Sequence, residues 1–251
     1  MKKQLLNFSI AFSAIAFLSA CSSQTEGESK SEPAANEQPS VQLVSDVMTA
    51  EAQAGLTPDQ VIAEFKEGNK RFQEGKLTAR DFPAQVHNSA AGQFPKAVVL
   101  SCLDSRVPVE DVLDQGIGDI FVGRVAGNFV NTDLLGSMEF ACKVAGAKLV
   151  LVVGHESCGA VKGAIDDVKL GNITPMLANI KPAVELSKDF NGEKTSKNAD
   201  FVKNVTEHNV EHAIQEIREQ SPILKEMEDK GEIKIVGAYY TLATGELKFM
   251  E

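Results

Sequence analysis

The chain has 251 residues, 43% of them hydrophobic, and 25 Lys and Arg against 35 Asp and Glu give a formal net charge of −10. That length holds one large domain or two small ones, and the acidic balance argues against nucleic acid or an anionic membrane surface as a partner. Beyond the first twenty residues no apolar run is long enough to span a bilayer.

Met1-Lys2-Lys3 is a charged head, Leu5 to Leu18 is mostly apolar, and Leu18-Ser19-Ala20-Cys21 closes the segment. Residues 1–20 therefore read as an export signal, not a transmembrane helix. The closing tetrad resembles a bacterial lipobox. That implies cleavage before Cys21, lipid on its sulfur and an exported protein anchored in the bacterial cell envelope, facing the periplasm or the cell surface. An ordinary signal peptide with a chance cysteine is the alternative. Residues 21–40 are rich in Ser, Glu, Gln, Pro and Asn, lack large apolar side chains and read as a disordered tether. Residues 41–251 carry the folded domain.

Val41 to Ala54 reads as a short amphipathic helix with Val44, Val47 and Met48 on one face. Thr57-Pro58-Asp59-Gln60 is a helix start, with Thr at the cap, Pro first and Gln three after the cap. Val61, Ile62, Phe65 and Phe72 continue it as an apolar stripe to about Glu74. Ala79 to Pro95, with Pro83, Gly92 and Pro95, reads as a loop holding His87. Ala97 to Ser101 is an apolar strand, Val107 to Asp114 a short helix, and Ile120 to Val125 another strand. Asp133 to Ala145 has Leu134, Leu135, Met138 and Cys142 at helical spacing. Lys148 to Gly154 is a further strand, and Gly159 to Asp167 opens a helix whose first amides face back toward it. Ile173 to Phe190 is helical with interruptions at Pro175 and Pro182, and Asn191 to Asn198 is a loop. Asp200 to Glu219 is a long amphipathic helix, Pro222 restarts it, Ile233 to Leu242 is a strand, and Thr244-Gly245 turns into Leu247 to Phe249. The alternation predicts an α/β fold, a mainly parallel central sheet flanked by helices, with an N-terminal helical arm.

Two of these strands run continuously apolar and end in polar clusters. Cys102-Leu103-Asp104-Ser105-Arg106 follows the first; His155-Glu156-Ser157-Cys158-Gly159 ends the second. Sites in open parallel sheets form at the carboxyl ends of strands, which would bring Cys102, His155 and Cys158 together. Two thiolates and an imidazole make a three-ligand zinc set with a fourth position for water, whereas a structural zinc takes four protein ligands. Arg106 is placed to hold Asp104 in a forked, charge-assisted pair, either orienting a nucleophile or merely pinning the strand end. A Cys102–Cys158 disulfide would leave His155 and the Asp-Ser-Arg tail without a purpose. Cys142 reads as a buried small hydrophobe. His208 and His212, beside Glu207 and Glu211, have the spacing of a metal clamp without a third ligand, and read as a solvated face.

Cys102-x-Asp104-Ser105-Arg106 followed by His155-x-x-Cys158-Gly159 resembles the signature of β-class carbonic anhydrases, and the similarity runs through Gly123-Arg124-Val125-Ala126-Gly127-Asn128. The resemblance implies one Zn2+ per subunit and interconversion of carbon dioxide with bicarbonate, hydroxide being available near neutral pH because the metal acidifies its water. It implies catalytic roles for Asp104 and Arg106, with Asp104 able to become a fourth ligand in a closed site. It places Gln93, at the spacing of the plant-type branch, with Ser105, Phe121, Ala126 and Gly159 around the substrate. The other branch carries a tryptophan before the first cysteine in an inhibitory bicarbonate site; here that position is Val99 and the chain has no tryptophan. The family also implies a homodimer or larger homo-oligomer, with sites near the subunit interface and N-terminal helices packed on a partner. Hydrolysis of carbonyl sulfide or carbon disulfide on the same scaffold, and a non-catalytic zinc-binding envelope domain, are the alternatives.

Overall fold

Two buried apolar strands set the centre of the molecule, because residues such as Val98, Leu100, Val150 and Val152 leave neither face of a strand suited to water. The computed structural model describes residues 42–250; the expected signal 1–20, the lipid site Cys21 and the tether 21–40 lie outside the described residues. Strands β1 (Ala97–Ser101), β2 (Ile120–Arg124), β3 (Leu149–His155), β4 (Lys234–Tyr240) and β5 (Leu247–Phe249) form one sheet in the order β2-β1-β3-β4-β5. The first four are parallel and β5 is antiparallel on the edge. Alternation splits the core: Val98, Leu100, Val150 and Val152 face one helical layer, and Val99, Leu149, Leu151 and Val153 face the other.

Helices α1 (Ala50–Ala54), α2 (Pro58–Gln73), α3 (Phe82–Ser89) and α4 (Val109–Val112) come from the first half. Then follow α5 (Thr132–Glu139), α6 (Gly159–Ile165), α7 (Ile173–Ala178), α8 (Lys181–Leu186), α9 (Ala199–Gln220) and α10 (Pro222–Asp229). α2 begins with the expected capping box, Thr57 and Gln60 each bonding the other's backbone, and buries Val61 and Phe65 beneath β1 and β3. α9 crosses the opposite face so closely that a Cβ on Gly154 would stand 2.7 Å from Val210, and one on Gly237 2.6 Å from it. No helix among the described residues is long and apolar enough to cross a membrane.

Three expected elements differ. Residues 42–49 are not helical: Val44 N–H donates to Ala79 O and Asp81 N–H donates to Val44 O, so this stretch lies alongside Arg80, and only Ala50–Ala54 winds up behind the Thr49 cap. The 79–95 stretch contains α3, because Pro83 sits in the first turn, where its missing N–H costs nothing, and the Asp81 carboxylate accepts from Ala84 N–H. The helix expected over 133–145 changes at Phe140 into a π-helical turn, Phe140–Val144, closed by Ala145 N–H on Phe140 O.

Asp114 locks the N-terminal arm to the body. Its side chain is fully buried, with φ at 51°, and accepts from Arg71 Nε (2.5 Å), Arg80 Nη1 (2.6 Å) and Thr78 Oγ1 (2.7 Å). Burial pushes its carboxyl pKa up, but the hydrogen bonds from Arg71, Arg80 and Thr78 outweigh this and hold it below the usual carboxylate range. Asp114→Asn, which tolerates the same backbone, should lower unfolding free energy by about 2–3 kcal/mol, the scale of hydrogen bonds to a charged group. A depressed folded-state pKa contributes stability that is complete above the unfolded value of about 3.9 and fades as pH falls through the folded value. Urea unfolding at pH 7 and across pH 2–5 checks both points: the gap between variant and wild type should shrink on acidification.

Candidate metal centre

Parallel register aligns the carboxyl ends of β1 and β3, with Ser101 beside Val153. Cys102 follows β1 directly, His155 is the last residue of β3, and Cys158 caps the start of α6. All three are buried, and their ligating atoms lie within 4.8 Å of one another. The two Sγ atoms stand 3.9 Å apart, far beyond the roughly 2.05 Å of a disulfide. The spacing matches the about 3.8 Å between two thiolates held at 2.3 Å on a tetrahedral zinc. His155 Nδ1 is 2.9 Å from Glu156 O, a group that only accepts, so the ring proton sits on Nδ1. Nε2 is left buried with no hydrogen-bond partner, a lone pair aimed at the sulfurs. Two thiols and this nitrogen are the donor set a zinc ion takes.

The thiols are unequal. The hydrogen bond from Cys158, aided by His155 and by Gly127 N–H (3.3 Å), pulls Cys102 far below the usual thiol range. Giving that hydrogen bond, together with burial, pushes Cys158 up, although the Ala160 and Val161 N–H groups at the head of α6 oppose the rise.

Asp104 stands at the mouth. Its carboxylate accepts Arg106 Nε (2.9 Å), Arg106 Nη2 (2.7 Å) and Arg106 N–H (2.9 Å), and Oδ2 is 3.8 Å from His155 Nε2. Arg106's hydrogen bonds hold Asp104 well below the usual carboxylate range despite partial burial. Gly159 is exposed beside Cys158, with nothing within 4 Å of where a Cβ would project. Ser105 is exposed in the same loop, and Ala126 is half-buried next to Gly127.

Two supports escape the sequence reading. Arg124, at the end of β2 and in register with Ser101, donates to Cys102 O (3.0 Å) and Val107 O (2.6 Å), clasping both ends of the Asp104 loop. Asn209 on α9 donates to Gly127 O (2.8 Å), steadying from its carbonyl side the residue whose N–H reaches Cys102. Gly127 has φ at 87°, and a Cβ there would stand 2.3 Å from Ile180. An arginine ending a strand beside the metal strand is a signal for the first; nothing local marks Asn209.

Two expected substrate residues are not at this centre within the chain. Gln93 is exposed and precedes β1, whereas Cys102 follows it; five strand residues at about 3.3 Å each separate the two ends. Phe121 pairs with Val98 near the start of β2, and its ring packs edge-on to Phe140 at 6.2 Å. His208 Nδ1 pairs with Ser187 Oγ (2.7 Å), and among the described residues only Cys102, His155 and Cys158 converge as a metal-ligating trio. His87 is exposed on α3, and Cys142 is a buried thiol pushed up to about 12 by desolvation.

A carbonic anhydrase family profile matches residues 97–247. The chain is 36% identical over 190 residues to carbonic anhydrase 2 of Mycobacterium tuberculosis, covering 72% of this chain and 87% of that one. It is 33% identical over 193 residues to the carbonic anhydrase of Mycolicibacterium smegmatis, covering 73% and 89%. Among solved structures it resembles a β-carbonic anhydrase of Aspergillus fumigatus, with a TM-score of 0.60, 27% identity and coverage of 77% and 90%. One of the two tetrameric β-carbonic anhydrases of Sordaria macrospora shares the fold at a TM-score of 0.60 and 23% identity, covering 73% and 90%.

Proposed function

The chain belongs to the β-class carbonic anhydrases, and from that premise we propose how its own residues serve the reversible hydration of carbon dioxide to bicarbonate and a proton. The observation that carries the reading is the buried Cys102, His155 and Cys158 set with Asp104 Oδ2 3.8 Å from His155 Nε2. Zinc on Cys102 Sγ, His155 Nε2 and Cys158 Sγ would supply hydroxide near neutral pH by acidifying water. Asp104, ionised throughout the neutral range, accepts a hydrogen bond from the attacking O–H and aims its lone pair at the carbon. Arg106 holds that carboxylate in place with a two-pronged fork. Gly159, with open space before it, leaves room for a substrate oxygen.

Three protein ligands with an orienting dyad fit catalysis better than a structural zinc, which takes four. The relatives at 33% and 36% identity are named carbonic anhydrases, which favours carbon dioxide over its sulfur analogues. Stopped-flow hydration by the purified protein tests the reading: turnover should disappear with chelator and return with zinc. One tightly held zinc without hydration between pH 6.5 and 9 would overturn it.

Quaternary structure and location extend the proposal. β2 is an edge strand with an unpaired side, and the adjacent cavity of about 600 Å3 is lined by Phe121, Leu134 and Phe140. Phe140 and Val144 are 50% and 71% exposed. We read this face as the contact between two copies of the chain, in a homodimer or larger assembly. Gln93 and Phe121 would meet substrate only where a second copy brings them to its site. Export and lipid attachment at Cys21 rest on the Met1–Cys21 sequence pattern.

A further inference from the structure

The turn that carries two of the three proposed ligands, His155 to Cys158, is held by one internal contact, His155 Nδ1 on Glu156 O, and otherwise from outside. Ser157 sits at φ 54°, where a Cβ crowds the backbone at a cost of roughly 1–2 kcal/mol. No hydrogen bond to the Ser157 side chain offsets this among the described residues. The contacts that fix the turn meet at Glu156. Its N–H donates to Tyr240 O at 2.8 Å, in line with the end of β4. Its half-buried carboxylate accepts Leu242 N–H at 2.9 Å, beyond the end of that strand. Its carbonyl receives the His155 Nδ1 proton at 2.9 Å. Thus one residue is tied by its N–H to the end of β4 and by its side chain to the β4–β5 connection, and presents the acceptor that sets the imidazole tautomer.

We propose that Glu156 is a positioning residue for the metal centre: its carboxylate, strapped to Leu242 N–H, holds the Glu156 carbonyl against His155 Nδ1 and so keeps Nε2 facing Cys102 and Cys158. This rests on the zinc reading above. Outer hydrogen-bond partners of a ligating histidine are worth about 10–100-fold in metal affinity. Here the direct partner is a carbonyl that any residue supplies, so the side chain acts only through the strap. The requirement is an acceptor oxygen at that reach, not a negative charge.

Zinc affinity of the full chain, measured by competition with a chromophoric chelator, tests this with Glu156→Ala and Glu156→Gln. The Ala variant should bind zinc about 10–100-fold more weakly, and its cobalt-substituted visible spectrum should shift as the imidazole turns. The Gln variant, which keeps an amide oxygen for Leu242 N–H, should stay close to wild type in both. Should the Ala variant not fold, Glu156→Asp, one methylene short, must show the same weakening. Unchanged zinc affinity with a lowered melting temperature of the metal-free protein would make Glu156 a plain structural strap and overturn the proposal. So would a Gln variant as weak as Ala, since charge would then be what counts. In both cases wild type binds zinc normally, whereas failure of the wild type to bind zinc would overturn the metal reading itself.

Discussion

Cys158→Ser should retain the fold, lose stoichiometric zinc and lose carbon dioxide hydration by about 10³-fold or more, beyond the roughly 10–100-fold cost of losing an outer partner at a metal site. Retention follows from the setting. Cys158 is fully buried at the head of α6, in a cluster with Cys102, Val161 and Ala164. A serine is slightly smaller and is favoured at a helix N-cap. The metal-free variant should therefore melt within a few degrees of the metal-free wild type. What is lost is the second thiolate, because a serine hydroxyl does not ionise near neutral pH. Metal analysis after dialysis, followed by zinc add-back, separates the two effects: chelated wild type regains turnover and the variant does not. A variant that still holds one zinc per chain and still hydrates carbon dioxide would remove Cys158 from the centre.

The trio is legible in sequence because Cys102 and His155 sit at the ends of apolar strands, Cys158 follows three residues later, and parallel strands align their carboxyl ends. Two short motifs then become one site without any knowledge of the helices between them. Asp104 and Arg106 are legible for a simpler reason, being two residues apart and opposite in charge. Gln93 and Phe121 rest on resemblance alone: Gln93 precedes β1 and Phe121 lies near the start of β2, so both bear on substrate only where a second copy meets this chain. Gln93 is near Cys102 in number, but all of β1 lies between them. Asn209 is hidden for the opposite reason: it lies 82 positions from Gly127 and is brought there only by the packing of α9. Among the elements, Pro83 reads as a breaker when it is a starter, and the π-helical turn at Phe140 leaves Cys142 on the buried side either way. Pro83 differs from Pro58 and Pro222 in standing one residue further inside its helix, so its polar cap Asp81 is not adjacent to it and shows only through Ala84 N–H.

Asp104→Asn should keep zinc and lower kcat by about 10²-fold or more, the scale of removing one preorganised polar contact to a transition state. The substitution is nearly isosteric, and Arg106, 57% exposed at its side chain, can swing into solvent instead of facing a second donor. No ligating atom moves, so metal content is the control. The chemistry turns on what Asp104 can and cannot do. Arg106's hydrogen bonds hold its pKa far below the usual range, so between pH 6 and 9 it is always an acceptor and never a proton reservoir. A low-pKa carboxylate is a weak base. Its contribution is therefore orientation of the attacking O–H, and it should add no ionisation to the pH–rate profile in that range. An amide presents either a weaker acceptor or, when flipped, a donor that turns the O–H the wrong way. Both penalise the step that forms the carbon–oxygen bond. If the Asp104–Arg106 pair only pinned the end of β1, the variant would melt earlier and turn over almost as fast as wild type. That outcome is also disfavoured by geometry: Arg124 already clasps Cys102 O and Val107 O at the two ends of the same loop, so the pin is supplied without Asp104. The forked pair faces His155 Nε2 instead, which is where an orienting acceptor is of use.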